Sequence, residues 1–247
     1  MLLYAPVFTS VVFAGHLDNQ TELSAVGLGN ATTTMLLSSV VLGANLALDA
    51  LHSQAYGSGN LELCGVYLNR ARFILMAVVI PIGVLLYFFV EEFLVAMGQD
   101  PEVIEPTVRF TRVTLPGILF VGLNDAQKKW LILMRIIHVP MIAYGLATIL
   151  NICLCYLFVF NFELGMMGIA YAMIITYIFT FVLMVVHTSF LKQVEEAVFL
   201  PRADTFSGWR EYLAIATPAI VAVMVYCWSQ EIILIFSGLI GSLELAT

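Results

Sequence analysis

Charge is scarce in this chain. Only 11% of its 247 residues are Asp, Glu, Lys or Arg, against 61% hydrophobic residues, whereas an average soluble domain carries about 25% charged residues. That shortage excludes an ordinary solvated domain. Positive charge is scarcer still, with 10 Lys and Arg against 17 Asp and Glu and a net charge of −7, so no basic stripe is available to track nucleic acid. The four cysteines, Cys64, Cys153, Cys155 and Cys227, lie on separate stretches without the spacing of a disulfide framework or a metal cluster. There is no glycine loop built to cradle phosphate, no His/Glu metal spacing and no nucleophile elbow. His16, His52 and His138 fall near helix ends and read as structural, hydrogen-bonded residues. No enzyme, cofactor or metal is expected.

Long apolar runs take the place of these features. A membrane-spanning helix needs about 20 largely apolar residues, and such runs recur at about 23–51, 73–90, 104–127, 136–160, 165–190 and 212–240. The first 14 residues are apolar but too short to cross, and read as the second half of a truncated first helix. The expected fold is therefore an all-α polytopic membrane protein with about seven transmembrane helices. Pro81 and the Pro116-Gly117 pair fall inside runs and predict kinks. The stretch 191–211 is the longest joint, with mixed charge, and reads as an amphipathic piece lying on the membrane.

The basic residues order the topology. Arg70, Arg72, Lys128, Lys129, Arg135, Lys192, Arg202 and Arg210 fall in alternate joints, while the joint around Glu91, Glu92, Asp100, Glu102 and Glu105 is acidic. By the positive-inside rule the basic joints and the N-terminus face the cytoplasm. Two acids then remain inside apolar runs. Asp49 shares a helical face with Thr34, Ser38, Asn45 and His52, at spacings of three, four or seven residues, and reads as a gating or structural acid on a polar stripe that also takes in Asn30 and Gln54. Glu231, in the run Tyr226-Cys227-Trp228-Ser229-Gln230-Glu231, reads either as a proton-exchanging carboxylate lining a cavity or as an acid buried against Arg109 or Arg112.

These residues resemble the multidrug and toxic compound extrusion (MATE) transporters in their eukaryotic branch. The resemblance rests on GHL and ELSAVGLGN (15–30), ALDALHSQAYGSGN (47–60) followed by GVYLNRA, MGQDPEV (97–103), LPGI (115–118), LGMMGIAYA (164–172) and WSQEIILIFSGL (228–239). It implies a six-helix lobe over 1–190, an interfacial linker over 191–211, and in 212–247 the first helix of a second lobe whose remainder is a missing partner. That branch carries the pattern Glu-Trp-Trp-x-x-Glu on helix 7. Here Trp228 and Glu231 match its second Trp and second acid, while Tyr226 and Cys227 replace the first acid and first Trp. The implied function is a proton- or sodium-coupled antiporter in the plasma membrane or a vacuolar or vesicular membrane, exporting organic cations or other amphipathic compounds by alternating access. Two alternatives stand beside it: a transport-inactive paralogue or fragment serving as a membrane structural subunit, and a lipid-linked oligosaccharide flippase using Arg109 and Arg112.

Overall fold

The computed structural model describes residues 5–17 and 19–240, with side chains through 230. Its helices are α1 (Ala5–Ala14), α2 (Gln20–Thr33), α3 (Ser39–Gly57), α4 (Leu61–Ala96), α5 (Pro101–Leu133), α6 (His138–Tyr156), α7 (Gly165–Ser189) and α8 (Trp209–Ile240). A π-helical turn, Thr34–Ser38, joins α2 to α3 without a break, and a second, Leu157–Asn161, ends α6. Each apolar run therefore falls on a helix, the run 23–51 taking in both α2 and α3. Among the described residues five stretches are long and apolar enough to cross a membrane: Gln20–Gly57, Leu61–Ala96, His138–Asn161, Gly165–Ser189 and Trp209–Gln230.

The ends are set by local chemistry. Asn60 caps α4 by accepting the Leu63 N–H at 2.9 Å, and Asp100 caps α5 by accepting the Glu102 N–H at 3.0 Å, with Pro101 in the first turn. Side-chain caps of this kind satisfy amide groups that a helix start leaves unpaired. The chain reverses before each cap through a glycine in the left-handed region, Gly59 (φ 75°) and Gly98 (φ 71°), where a Cβ would be strained. Pro81 and Pro116 both lie inside continuous helices.

Helix α5 is the axis of the bundle. It packs against α2, α3, α4 and α7, which explains how it can hold the buried Asp125 away from an apolar surround. Its neighbours divide the interior into two apolar clusters. One joins α3, α4, α5 and α8 through Leu48, Ile74 and Trp130, and the other joins α1, α2, α5 and α7 through Val26, Phe110 and Ile169. Helix α8 lies along α3. The two backbones approach so closely at Gly43 that a Cβ there would sit 2.4 Å from Ile220 Cα, the close approach that small residues permit between membrane helices.

Two expectations are corrected. The basic joints are much shorter than the charge pattern implied: Arg70 and Arg72 lie in the third turn of α4, and Lys128 and Lys129 lie on α5, which continues to Leu133. Each finds helix-borne or backbone partners, so a charge did not mark the end of a span. The part of the 191–211 stretch before α8, read as an amphipathic piece lying on the membrane, packs against the chain itself. It forms two 3-10 turns, Lys192–Ala197 and Ala203–Phe206, folded back on the start of α4. Asn69 donates to Phe199 O (3.0 Å), Arg70 donates to Asp204 O (2.9 Å), and Gly65 leaves room for the Ala197 carbonyl.

Candidate functional site

The densest polar arrangement among the described residues lies where α3 crosses α5. These helices run in the same direction and in register, because Asn45 meets Asp125 and Asp49 meets Lys129, both at an offset of 80 residues. One turn of each helix separates the two contacts. Asn45 Nδ2 donates to Asp125 Oδ2 at 3.0 Å and to Gly122 O at 3.1 Å. Asp125 Oδ1 pairs with Lys128 Nζ at 2.6 Å, and its Oδ2 lies 3.7 Å from Lys129 Nζ. Lys129 Nζ in turn pairs with Asp49 Oδ2 at 2.8 Å. Two carboxylates and two ammonium groups thus balance.

Burial grades across the cluster. The Asp125 side chain is 2% exposed and that of Asp49 36%. An isolated carboxylate buried as deeply as Asp125 would carry a desolvation cost of several kcal/mol, so its stability depends on the lysines and on Asn45. Lys129 is placed between two acids, with a close partner at Asp49 and a more distant one at Asp125. That arrangement can exchange partners without leaving a charge bare. Around it are unsatisfied groups: Asn45 Oδ1 and the Tyr144 hydroxyl are buried without hydrogen-bond partners. His52, one turn beyond Asp49, is fully buried with both ring nitrogens unpartnered and stacks on Trp130 at 6.1 Å.

The residues singled out from the sequence fall in several places. Asp49 and Asn45 meet in this cluster. Asn30 does not join them, since its amide donates to Ser10 Oγ at 3.1 Å and ties α2 to α1. Gln54 is exposed near the end of α3. The π-turn explains part of this scatter: its extra residue per turn changes the register between α2 and α3, so one stripe cannot continue through it. Arg112 donates to Tyr87 O at 3.0 Å and lies over the Tyr87 ring. Arg109 is exposed, beside Arg112, Glu91 and Glu105 in a cleft between α4 and α5.

On α8, Trp228 donates its indole N–H to Met35 O at 2.8 Å. Met35 lies in the π-turn, where the Ser39 N–H reaches back to Thr34 O instead of the α-helical position, Met35 O. Tyr212 fixes the other part of α8 by donating to Ala44 O at 3.0 Å. Tyr226 is 66% exposed. The backbone of Glu231 is helical, one turn past Trp228, and its side chain lies outside the described residues.

Asp125 escaped the sequence reading, which ended the fourth run at Gln127 and assigned the lysines to a joint. A signal was present: Asp125, Lys128 and Lys129 stand at i, i+3 and i+4, the spacing that brings opposite charges together on a helix.

Comparison with known proteins gives one answer. The MatE family model matches residues 1–157. Multidrug and toxin extrusion protein 1 of Oryctolagus cuniculus is 31% identical over 99% of this chain and 43% of its own length, and Protein DETOXIFICATION 17 of Arabidopsis thaliana is 27% identical over 100% and 52%. This chain thus spans about half the length of those relatives. The crystal structure of the eukaryotic MATE transporter AtDTX14 superposes with a TM-score of 0.88 at 24% identity, covering 96% of this chain and 52% of that one. An inward-facing multidrug resistance MATE family transporter of the MOP superfamily superposes at 0.75 and 17%, covering 92% and 51%. With its apolar helices, their order and most of its length accounted for, this integral, multi-pass membrane chain belongs to the MatE family.

Proposed function

We propose that this chain works as part of a secondary-active antiporter, exporting organic cations or other amphipathic compounds in exchange for protons by alternating access. In this reading residues 1–190 form the N-terminal lobe, 191–211 a cytoplasmic linker, and 212–247 the start of a second lobe. Apart from Arg109 and Arg112, the basic residues lie in the joints after α5 and α7 or in the helix turns beside the joints after α3, α5 and α7, which supports a cytoplasmic placement of those joints and of the N-terminus.

The observation that carries the reading is the seating of α8. Its indole at Trp228 is held on the Met35 carbonyl, at the irregular turn of the opposing helix. Glu231 follows at i+3 on the same side of α8 by helical register. In this reading the Glu231 carboxylate exchanges a proton against cationic cargo, the role to which an acid within a membrane-spanning run is suited. The Asp49, Lys129 and Asp125 cluster stabilises the cytoplasmic end. Two alternating states are supported by solved multidrug resistance MATE family transporters of similar fold, described in an inward-facing and in an outward-facing conformation. Sodium coupling would require additional oxygen ligands beside Glu231.

A second reading, a membrane subunit without transport of its own, is favoured by Tyr226 and Cys227 standing where the resemblance places the first acid and first tryptophan. The flippase reading is the weakest, because Glu91 and Glu105 share the cleft of Arg109 and Arg112 and offset its attraction for an anionic headgroup.

The test is uptake of a fluorescent organic cation into proteoliposomes under an imposed pH gradient. Transport that collapses when the gradient is dissipated, and in Glu231→Gln, supports the antiporter. Gradient-dependent flux that survives Glu231→Gln removes that carboxylate from the mechanism. Absence of flux after a second lobe is supplied selects the subunit reading.

A further inference from the structure

A second charged place in the lobe has no balance. Arg72, on the third turn of α4, donates through Nη1 to Asn69 Oδ1 at 3.0 Å and through Nη2 to Gln127 Oε1. The Phe181 ring lies 5.9 Å from its guanidinium carbon. Both oxygen acceptors are neutral amides. Among the described residues no carboxylate stands within ion-pair distance of Arg72, and its Nε is buried without an acceptor. A guanidinium offers five N–H donors, so three remain to be filled. Removing a cation from water without an opposing charge is costly, and the cost falls if an anion occupies the site.

Space for one is present. Arg72 and Gln127 line a cavity of about 310 Å³ closed on one side by the 197–200 strap and on the other by the end of α7 at Thr188 and Ser189. A single water needs roughly 10–15 Å³ by this measure, so the cavity holds a much larger group. Its remaining walls are apolar, including Leu68, Val185 and Leu200. Around its rim Leu200 and Phe190 are largely exposed. They stand at the end of the α7 span, where such side chains meet a bilayer surface. A cationic head with apolar walls, opening at that level, is the complement of an anionic lipid.

We propose that the niche beneath the 197–200 strap, headed by the Arg72 guanidinium, binds the phosphate of an anionic lipid. Planar guanidinium groups suit phosphate because two parallel N–H donors can meet two oxygens. The lipid's upper chain would lie against the apolar wall. This site is at the end of the bundle, separate from Glu231 and from the cleft of Arg109 and Arg112, and it does not depend on transport.

The test titrates the purified full chain in detergent with phosphatidylglycerol, phosphatidylcholine or inorganic phosphate, reading the thermal midpoint and the lipid retained in native mass spectrometry. Saturable stabilisation by phosphatidylglycerol and not by phosphatidylcholine is expected, and Arg72→Gln should weaken it by about tenfold or more, the effect of losing charge-assisted hydrogen bonds. Ser189→Phe blocks the mouth without touching Arg72, so it should weaken binding similarly in a chain that keeps its own midpoint. Arg202→Gln removes an exposed cation at the same end and should leave binding unchanged. Equal response to both lipids, or phosphatidylglycerol binding undiminished by Arg72→Gln and Ser189→Phe, overturns the proposal. Inorganic phosphate saturating the whole effect, with lipid adding nothing, overturns the lipid as occupant.

Discussion

Asp125, buried, and Arg72, part-buried, are charges near one end of the same lobe, and their neighbourhoods differ. Asp125 has two lysines and an amide around it. Arg72 has two amide oxygens and a ring. The first arrangement is complete within the chain, so it belongs to the fold's own stability and to the joining of α3 with α5. The second is incomplete, so its stability is open to whatever enters the cavity. Breaking a closed charge cluster should harm the protein under every condition, whereas altering an open one should matter chiefly when a ligand is present.

The largest expected effect comes from Asp125→Ala, which leaves Lys128 without its partner and deprives Lys129 of its second acid. A loss of about 3–5 kcal/mol, the usual result of orphaning a buried charge, should appear as poor recovery and a strongly lowered thermal midpoint in detergent. A midpoint within a degree or two of wild type would mean that the cluster is not a closed unit. Next is Gly43→Leu, which forces side-chain atoms into the Ile220 backbone. Overpacking of this kind costs about 1–3 kcal/mol or more, and should free α8 from α3, measured as faster proteolysis around 209–215. Arg72→Met comes third: with no lipid added, relief of the cation's desolvation is set against the Asn69 and Gln127 oxygens left without their donor, a net loss of about 1–2 kcal/mol. A loss as large as that of Asp125→Ala would erase the contrast. Trp228→Phe should cost about 0.5–1.5 kcal/mol, the value of one hydrogen bond, seen as a small midpoint shift. The exposed pair of Arg202 and Glu62 is worth about 0–1 kcal/mol, so Glu62→Gln should be nearly silent in the same assay.

Much of the architecture was legible before any coordinates. Each apolar run became a helix because a membrane span must satisfy its own backbone hydrogen bonds, and that requirement is written locally. Pairing Asn45 with Asp49 on one face was also legible, since helical spacing alone brings them together. Asp125 was not, because lysines one and two residues after Gln127 would end a span unless a neighbouring helix supplies acids. Asp49 supplies one, from 80 residues away. Asn30 left the stripe because a π-turn altered the register, which no residue pattern announced. The strap over α4 was legible only as an amphipathic piece, from its mixed charges, while its carbonyls are in fact acceptors for Asn69 and Arg70.

Composition and periodicity, acting over a few turns at a time, determined the class of molecule, the number of helical runs and the family to which they are similar. Which charges are neutralised was decided only by tertiary packing, since the partner of a buried charge is chosen by three-dimensional proximity between distant stretches of chain. That is why Lys129 closes a circuit with Asp49 while Arg72, equally basic in the sequence, is left facing a cavity.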